Sequence, residues 1–171
     1  MQEEDNVKTP KEIAKEFMDT YNHMDMDGLF SLFAENCVFI CPESRWLAPQ
    51  RTLQWMQGKE GLRSILNYDK TMCPDRQMLV SREAIEGNII FQEAFWWGNV
   101  SGPMKVGDEV FAGSGKTVQS WQVQIFEVKN GKIVKMIVYY DLLPGLLQSG
   151  VQIEEWIKGK EKGWDVMFSK A

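Results

Sequence analysis

The sequence predicts an α+β fold, on three observations. Helical periodicity is confined to the first part of the chain, long strand-like runs fill the middle, and an Asn130-Gly131 step joins two of those runs as a hairpin. The hairpin is the clearest signal. Val118 to Val128 is rich in β-branched and aromatic residues, and Lys132 to Tyr140 returns with the same character. Asp141 stops the second run and can cap a short helix from Leu142 to Ser149, which Gly150 can end. Helices first and a mostly antiparallel sheet afterwards is the α+β order.

Taken from the N-terminus, residues 1–9 are polar and expected to be flexible. Thr9-Pro10 with Glu12 reads as a helix start, and Ile13, Phe17, Tyr21 and Met24 then recur at helical spacing. Asp25 to Gly28 breaks that helix, and Leu29, Phe30, Leu32 and Phe33 suggest a short second one. Cys37 to Cys41 reads as a short strand closed by Pro42. Residues 43–57 form a loop whose Trp46 and Trp55 are expected to fold over something apolar. A third helix follows Gly58-Lys59-Glu60. Two strands, 77–85 and 88–97, turn at Glu86-Gly87, and the glycine-rich stretch 98–114 reads as a loop. A final amphipathic helix is expected over 152–160. Residues 10–160 make one domain and 161–171 a tail, with no internal repeat.

Composition narrows the function. A net charge of −5 argues against a nucleic-acid surface. No signal-peptide pattern and no run of membrane-spanning length is present, so a cytoplasmic protein without a membrane partner is expected. The only His, His23, and three cysteines lack zinc-type spacing, so neither a metal nor another cofactor is expected. His23 reads as a surface residue at a helix end. Cys41 lacks a visible base, which favours a buried thiol over a nucleophile.

The chain resembles the SnoaL-like polyketide-cyclase group of the nuclear transport factor 2-like superfamily. Three pieces carry the resemblance: Tyr21 to Leu29 with Leu32 to Glu35, Gly58-Lys59-Glu60-Gly61-Leu62, and Ile125 to Val134 with Tyr140 to Leu143. It implies a cone-shaped α+β barrel, in which N-terminal helices pack on a curved sheet around a pocket. It also implies a homodimer formed through the sheet. The known chemistries of this scaffold do not transfer. Where ketosteroid isomerase relatives hold a Tyr and a catalytic Asp, this chain has Phe17 and Cys41, and the second oxyanion donor falls at Gln124. Where limonene epoxide hydrolase relatives hold an Asp-Arg-Asp set with a Tyr and an Asn, it has Val138, Glu93, Phe95, Val38 and Ile40.

The hairpin register decides which side chains face the pocket. A two-residue turn would put Trp121, Val123 and Ile125 with Tyr140, Val138 and Met136. A bulge at Gly131 would instead put Gln122 and Gln124 there, with cross-strand pairs summing to 260, and the resemblance favours the bulge. The expected site then has Glu93 for proton transfer and Gln124 with Gln122 for carbonyl polarisation. Val38, Ile40, Phe95, Trp97, Met136 and Val138 are its walls, Tyr21 and Tyr140 orient the ligand, and Trp46 and Trp55 cover it. The plain structural alternative is that Glu93 faces solvent or an ion-pair partner and that the aromatics simply pack the core. The expected function is a cofactor-independent isomerase, cyclase or dehydratase for a hydrophobic, cyclic polyketide-, terpenoid- or steroid-like metabolite. A non-catalytic binder of a small hydrophobic ligand, or an oligomerisation module, are the alternatives.

Overall fold

The computed structural model describes residues 7–41, 58–106 and 109–149. Helix α1 (Pro10–Asn22) begins with a capping box: the Thr9 side chain accepts from the Glu12 N–H, and the Glu12 carboxylate accepts from the Thr9 N–H. Asp25 caps α2 (Met26–Ser31) by accepting from the Gly28 N–H. Strand β1 is Phe33–Ile40, so Phe33 opens a strand where its spacing had suggested a helix. Next come α3 (Gly58–Met72), β2 (Gln77–Glu86) and β3 (Ile89–Asn99). The 98–114 stretch contains a small hairpin, β4 (Met104–Val106) and β5 (Glu109–Phe111), which the glycine content concealed. The chain continues as β6 (Thr117–Lys129), β7 (Lys132–Tyr140) and α4 (Leu142–Ser149). Trp46, Trp55, the expected helix over 152–160 and the 161–171 tail lie outside the described residues, as does most of the 1–9 segment.

The main sheet has the order β1-β7-β6-β3-β2, with β1 parallel to β7 and the other pairs antiparallel. Its concave face packs on the helices. Ile13, Phe17 and Tyr21 of α1 and Leu62 and Leu66 of α3 bury against Phe39, Ile90, Phe126, Met136 and Val138. Phe17 anchors this core, its ring 4.8 Å from that of Phe126 and edge-on to it. The α+β cone is therefore the observed architecture.

The hairpin register follows neither expectation as written. Lys129 pairs with Lys132 across a tight turn whose Asn130 and Gly131 have φ of 52° and 67°, the type I′ signature. The extra residue is Val134, because Val128 pairs with Ile133 but Glu127 pairs with Lys135. Beyond that bulge the pairs are Phe126 with Met136, Gln124 with Val138 and Gln122 with Tyr140. The glutamine-bearing face is thus concave, but the bulge lies in β7 and the pairs sum to 262, not 260.

Gly131 needs its missing side chain. Besides its positive φ, a Cβ there would meet the Lys8 backbone nitrogen at 3.0 Å. Gly131→Ala is therefore expected to lower stability by about 1–3 kcal/mol, measured as a fall in the urea midpoint with unchanged slope; a midpoint equal to wild type would refute this account of the turn.

Candidate functional site

Two largely buried polar networks stand on the concave side, each with one carboxylate reaching solvent. The first joins α1, α3 and β3. The Tyr21 hydroxyl donates to Asp69 Oδ2 at 2.6 Å and accepts from the Trp96 indole N–H at 2.8 Å. Arg76, fully buried, lies with its guanidinium carbon 4.4 Å from the centre of the Tyr21 ring, and its Nε is 3.0 Å from Asp69 Oδ2. That N–H does not point at the carboxylate, so the contact is an ion pair without an aligned hydrogen bond. The other donors of Arg76 face thioethers: Nη1 donates to Met24 Sδ at 2.8 Å and Nη2 approaches Met26 Sδ at 3.9 Å. Gly98 admits this arrangement, since a Cβ there would sit 2.9 Å from Cys73 Cβ and 3.2 Å from Arg76 Cα.

The electrostatics follow from burial. Desolvation pushes the Asp69 carboxyl above the ordinary aspartate value, against the opposing pull of Arg76 and of the Tyr21 hydrogen bond. Desolvation, reinforced by the charge of Asp69, holds the Tyr21 phenol well above its usual value, so Tyr21 remains a donor. The Asp69 side chain retains 24% of its exposure while Arg76 retains none, so the carboxylate is the member of the pair that opens toward solvent.

The second network crosses the sheet in register, Glu83 on β2 opposite Gln92 on β3 opposite Gln124 on β6. Gln124 Nε2 donates to Gln92 Oε1 at 2.7 Å, and Gln92 Nε2 donates to Glu83 Oε2 at 2.7 Å. Gln122 Nε2 donates to Met78 Sδ at 3.1 Å. Met78 links the networks, because Asn22 clasps its backbone with bonds of 2.9 and 2.8 Å.

Several expected site residues lie elsewhere. Glu93 is on the convex face, where it accepts from the Ser81 hydroxyl at 2.8 Å and stands 3.9 Å from Arg82. Phe95 and Trp97 share that face, their rings 5.8 Å apart, with Phe95 5.2 Å from Trp121. The reason is strand parity: the buried side of β3 is Ile90, Gln92, Ala94 and Gly98, so the odd-numbered residues turn away. Val38 and Ile40 are also misplaced, since β1 turns Cys37, Phe39 and Cys41 inward instead. Tyr21, Gln122, Gln124, Met136, Val138 and Tyr140 do lie on the concave side. Gln124 has its amide nitrogen committed to Gln92, and its buried oxygen has no partner among the described residues, so it is placed as an acceptor and not as the oxyanion donor. Asp69, Arg76, Gln92 and Glu83 were missed. The one available signal was Asp69 and Arg76 flanking Cys73-Pro74 at the end of a helix, which spacing alone does not bring together with Tyr21. Two open hollows bounded by described residues, of about 550 and 580 Å³, lie beside Asn130 and beside Trp121.

Among the described residues Arg76 has one anionic partner, Asp69, so deleting only one of the two is the costly change. Asp69→Ala is expected to destabilise the fold by roughly 3–5 kcal/mol, and Asp69→Ala/Arg76→Met by clearly less, as read by chemical denaturation; a double variant no better than the single would count against the ion pair. The pH dependence has a definite sign. A carboxyl whose folded pKa is raised favours folding below its unfolded pKa and loses that contribution as pH rises through the folded value. The difference in stability between wild type and Asp69→Asn should therefore shift against wild type as pH climbs from the ordinary aspartate value through the raised one.

Comparison with known proteins places this geometry. No curated protein sequence matches the chain at a significant level. Among solved structures, IdmH, a candidate polyketide cyclase from Streptomyces antibioticus, superposes with a TM-score of 0.68 at 19% identity, over 84% of this chain and 100% of that one. AclR, a candidate hydroxylase from Streptomyces galilaeus, gives 0.69 at 14% identity, over 84% and 96%. A candidate SnoaL-like polyketide cyclase from Jannaschia sp. CCS1 gives 0.67 at 18% identity, over 89% and 99%. These likenesses share the fold. The SnoaL-like domain profile matches residues 14–136, most of the chain, and the protein belongs to the SnoaL-like family.

Proposed function

We propose that this chain is a cofactor-independent enzyme of isomerase, cyclase or dehydratase type acting on a hydrophobic, cyclic metabolite of polyketide, terpenoid or steroid character. Asp69 replaces Glu93 as the proton carrier. The observation that carries this reading is a carboxyl lifted by burial toward the range where it can both take and return a proton, fixed in place by Tyr21 and Arg76. The ionised form of Asp69 would accept a proton from a carbon beside a carbonyl. Gln122 would polarise that carbonyl, because its amide now donates only to a thioether, a weak acceptor that a ligand oxygen can replace. Met136, Val138 and Tyr140 supply the concave wall.

The test is turnover across a panel of hydrophobic cyclic ketones, with folding checked by circular dichroism. Asp69→Asn should lower kcat by about 10²–10⁴. Glu93→Gln should stay within about threefold of wild type, the range expected of a surface change. The rate should rise as Asp69 ionises, with an inflection above the ordinary aspartate range that Asp69→Asn removes. Full activity in folded Asp69→Asn would sink the assignment. A binding protein without chemistry is the second reading, motivated by Phe17, Cys41 and Val138 at the positions where relatives carry catalytic groups; a retained ligand recovered unchanged, with no turnover on the panel, is its signature.

The partner we propose is a second copy of this chain. The convex face carries Leu79, Phe91, Trp121 and Tyr139, exposed by 61%, 41%, 56% and 46%. Leu79, Phe95 and Trp121 form one cross-strand row there, an apolar band of the kind that subunits cover. Native mass spectrometry should give a dimer for wild type and a monomer for Trp121→Lys; a wild-type monomer would exclude the arrangement.

A further inference from the structure

We infer that the charge of Glu83, at the rim of the sheet, fixes Gln124 as a buried hydrogen-bond acceptor, and that the site therefore takes a ligand presenting a hydroxyl or N–H donor to it. An ionised carboxylate only accepts hydrogen bonds, so the Gln92 atom 2.7 Å from Glu83 must be its amide nitrogen. The Gln92 oxygen then faces Gln124, and the Gln124 atom 2.7 Å away must be its nitrogen. The two ends of a glutamine amide are nearly equal in shape, yet here both amides are oriented by one charge two strands away. What remains is Gln124 Oε1. It is buried, it has no hydrogen-bond partner among the described residues, and Gln124 itself is fully enclosed, as Gln92 is to within 1%.

An unpartnered buried carbonyl oxygen is costly to leave without a donor. The described surroundings of the Gln124 amide are thioethers, which donate nothing: its nitrogen lies 3.4 Å from Met78 Sδ and 3.8 Å from Met18 Sδ. Glu83 is exposed and distant from the orphan oxygen, so it acts by orientation, as a positioning residue. The inference rests on the concave face being the ligand site, and it adds the polarity of the ligand group that face receives.

The experiment compares two probes of the same ring, 2-naphthol and 2-methoxynaphthalene, by titration calorimetry, so that no turnover is required. Wild type should bind 2-naphthol about tenfold more tightly, the value of one hydrogen bond to a buried acceptor. Glu83→Gln frees both amides to reverse, and the preference should fall to within about twofold. Gln124→Met, of similar volume, should abolish it while leaving 2-methoxynaphthalene binding in place. Asp69→Asn should keep the preference, which separates this inference from the catalytic one. Equal binding of the two probes to wild type, binding of neither, or a preference unchanged in Glu83→Gln would overturn it. A purely structural role for Glu83 would weaken both probes alike and so would also overturn it.

Discussion

The buried guanidinium of Arg76 is the constraint on which the concave side depends. A cation without access to water must be neutralised and held, and among the described residues the anion paired with it is Asp69. That requirement brings the end of α3 against α1, lays Tyr21 flat on the guanidinium, and brings Trp96 to the phenol oxygen. It also accounts for weaker contacts nearby. Met24 adopts a left-handed backbone, with φ of 57°, and its sulfur accepts one of the remaining Arg76 donors. Three elements are thus fixed relative to one another by a single charge, and the carboxylate that balances it is left at the opening.

The first and third helices, the long strands and the family were legible in the sequence because they rest on local signals. Thr9-Pro10 with Glu12, the Ile13-Phe17-Tyr21 spacing and Asn130-Gly131 each state their structure within a few residues. The sides of the strands were not legible. Around Cys37 to Cys41 and Ile89 to Trp97 both alternating sets are largely apolar, so hydrophobic alternation carried little information about which set was inside. The answer lay in contacts between distant segments. Gly98 marks where the turn containing Arg76 presses on β3, and with Gly98 inside, Glu93 has to be outside.

Bulges account for the remaining difference. The one in β7 at Val134 turns Met136, Val138 and Tyr140 inward although Ile133 is inward too. A second falls at Ser81, since Val80 pairs with Ala94 but Arg82 pairs with Glu93. It places Glu83 on the same side as Met78 and Val80, which simple alternation would not do. Both bulges insert one residue into a strand without a glycine or proline to announce it. The ion pair of Asp69 with Arg76 and the amide row of the sheet were therefore hidden for different reasons, one by tertiary contact and the other by strand phase.

That strand phase has an evolutionary corollary. Loss of one residue between Glu83 and the turn, such as Ala84, would draw Ser81 into the ladder opposite Glu93 and set Arg82, of opposite charge, beside Gln92 in place of Glu83. Because Val80 would keep Ala94 and Ile85 would keep Ile90, such a deletion would leave the apolar pairs in place while inverting the charge at the end of the amide row. A scaffold of this kind can reverse the charge at one end of a side-chain row by a one-codon length change at its edge, with the flanking strand pairs kept.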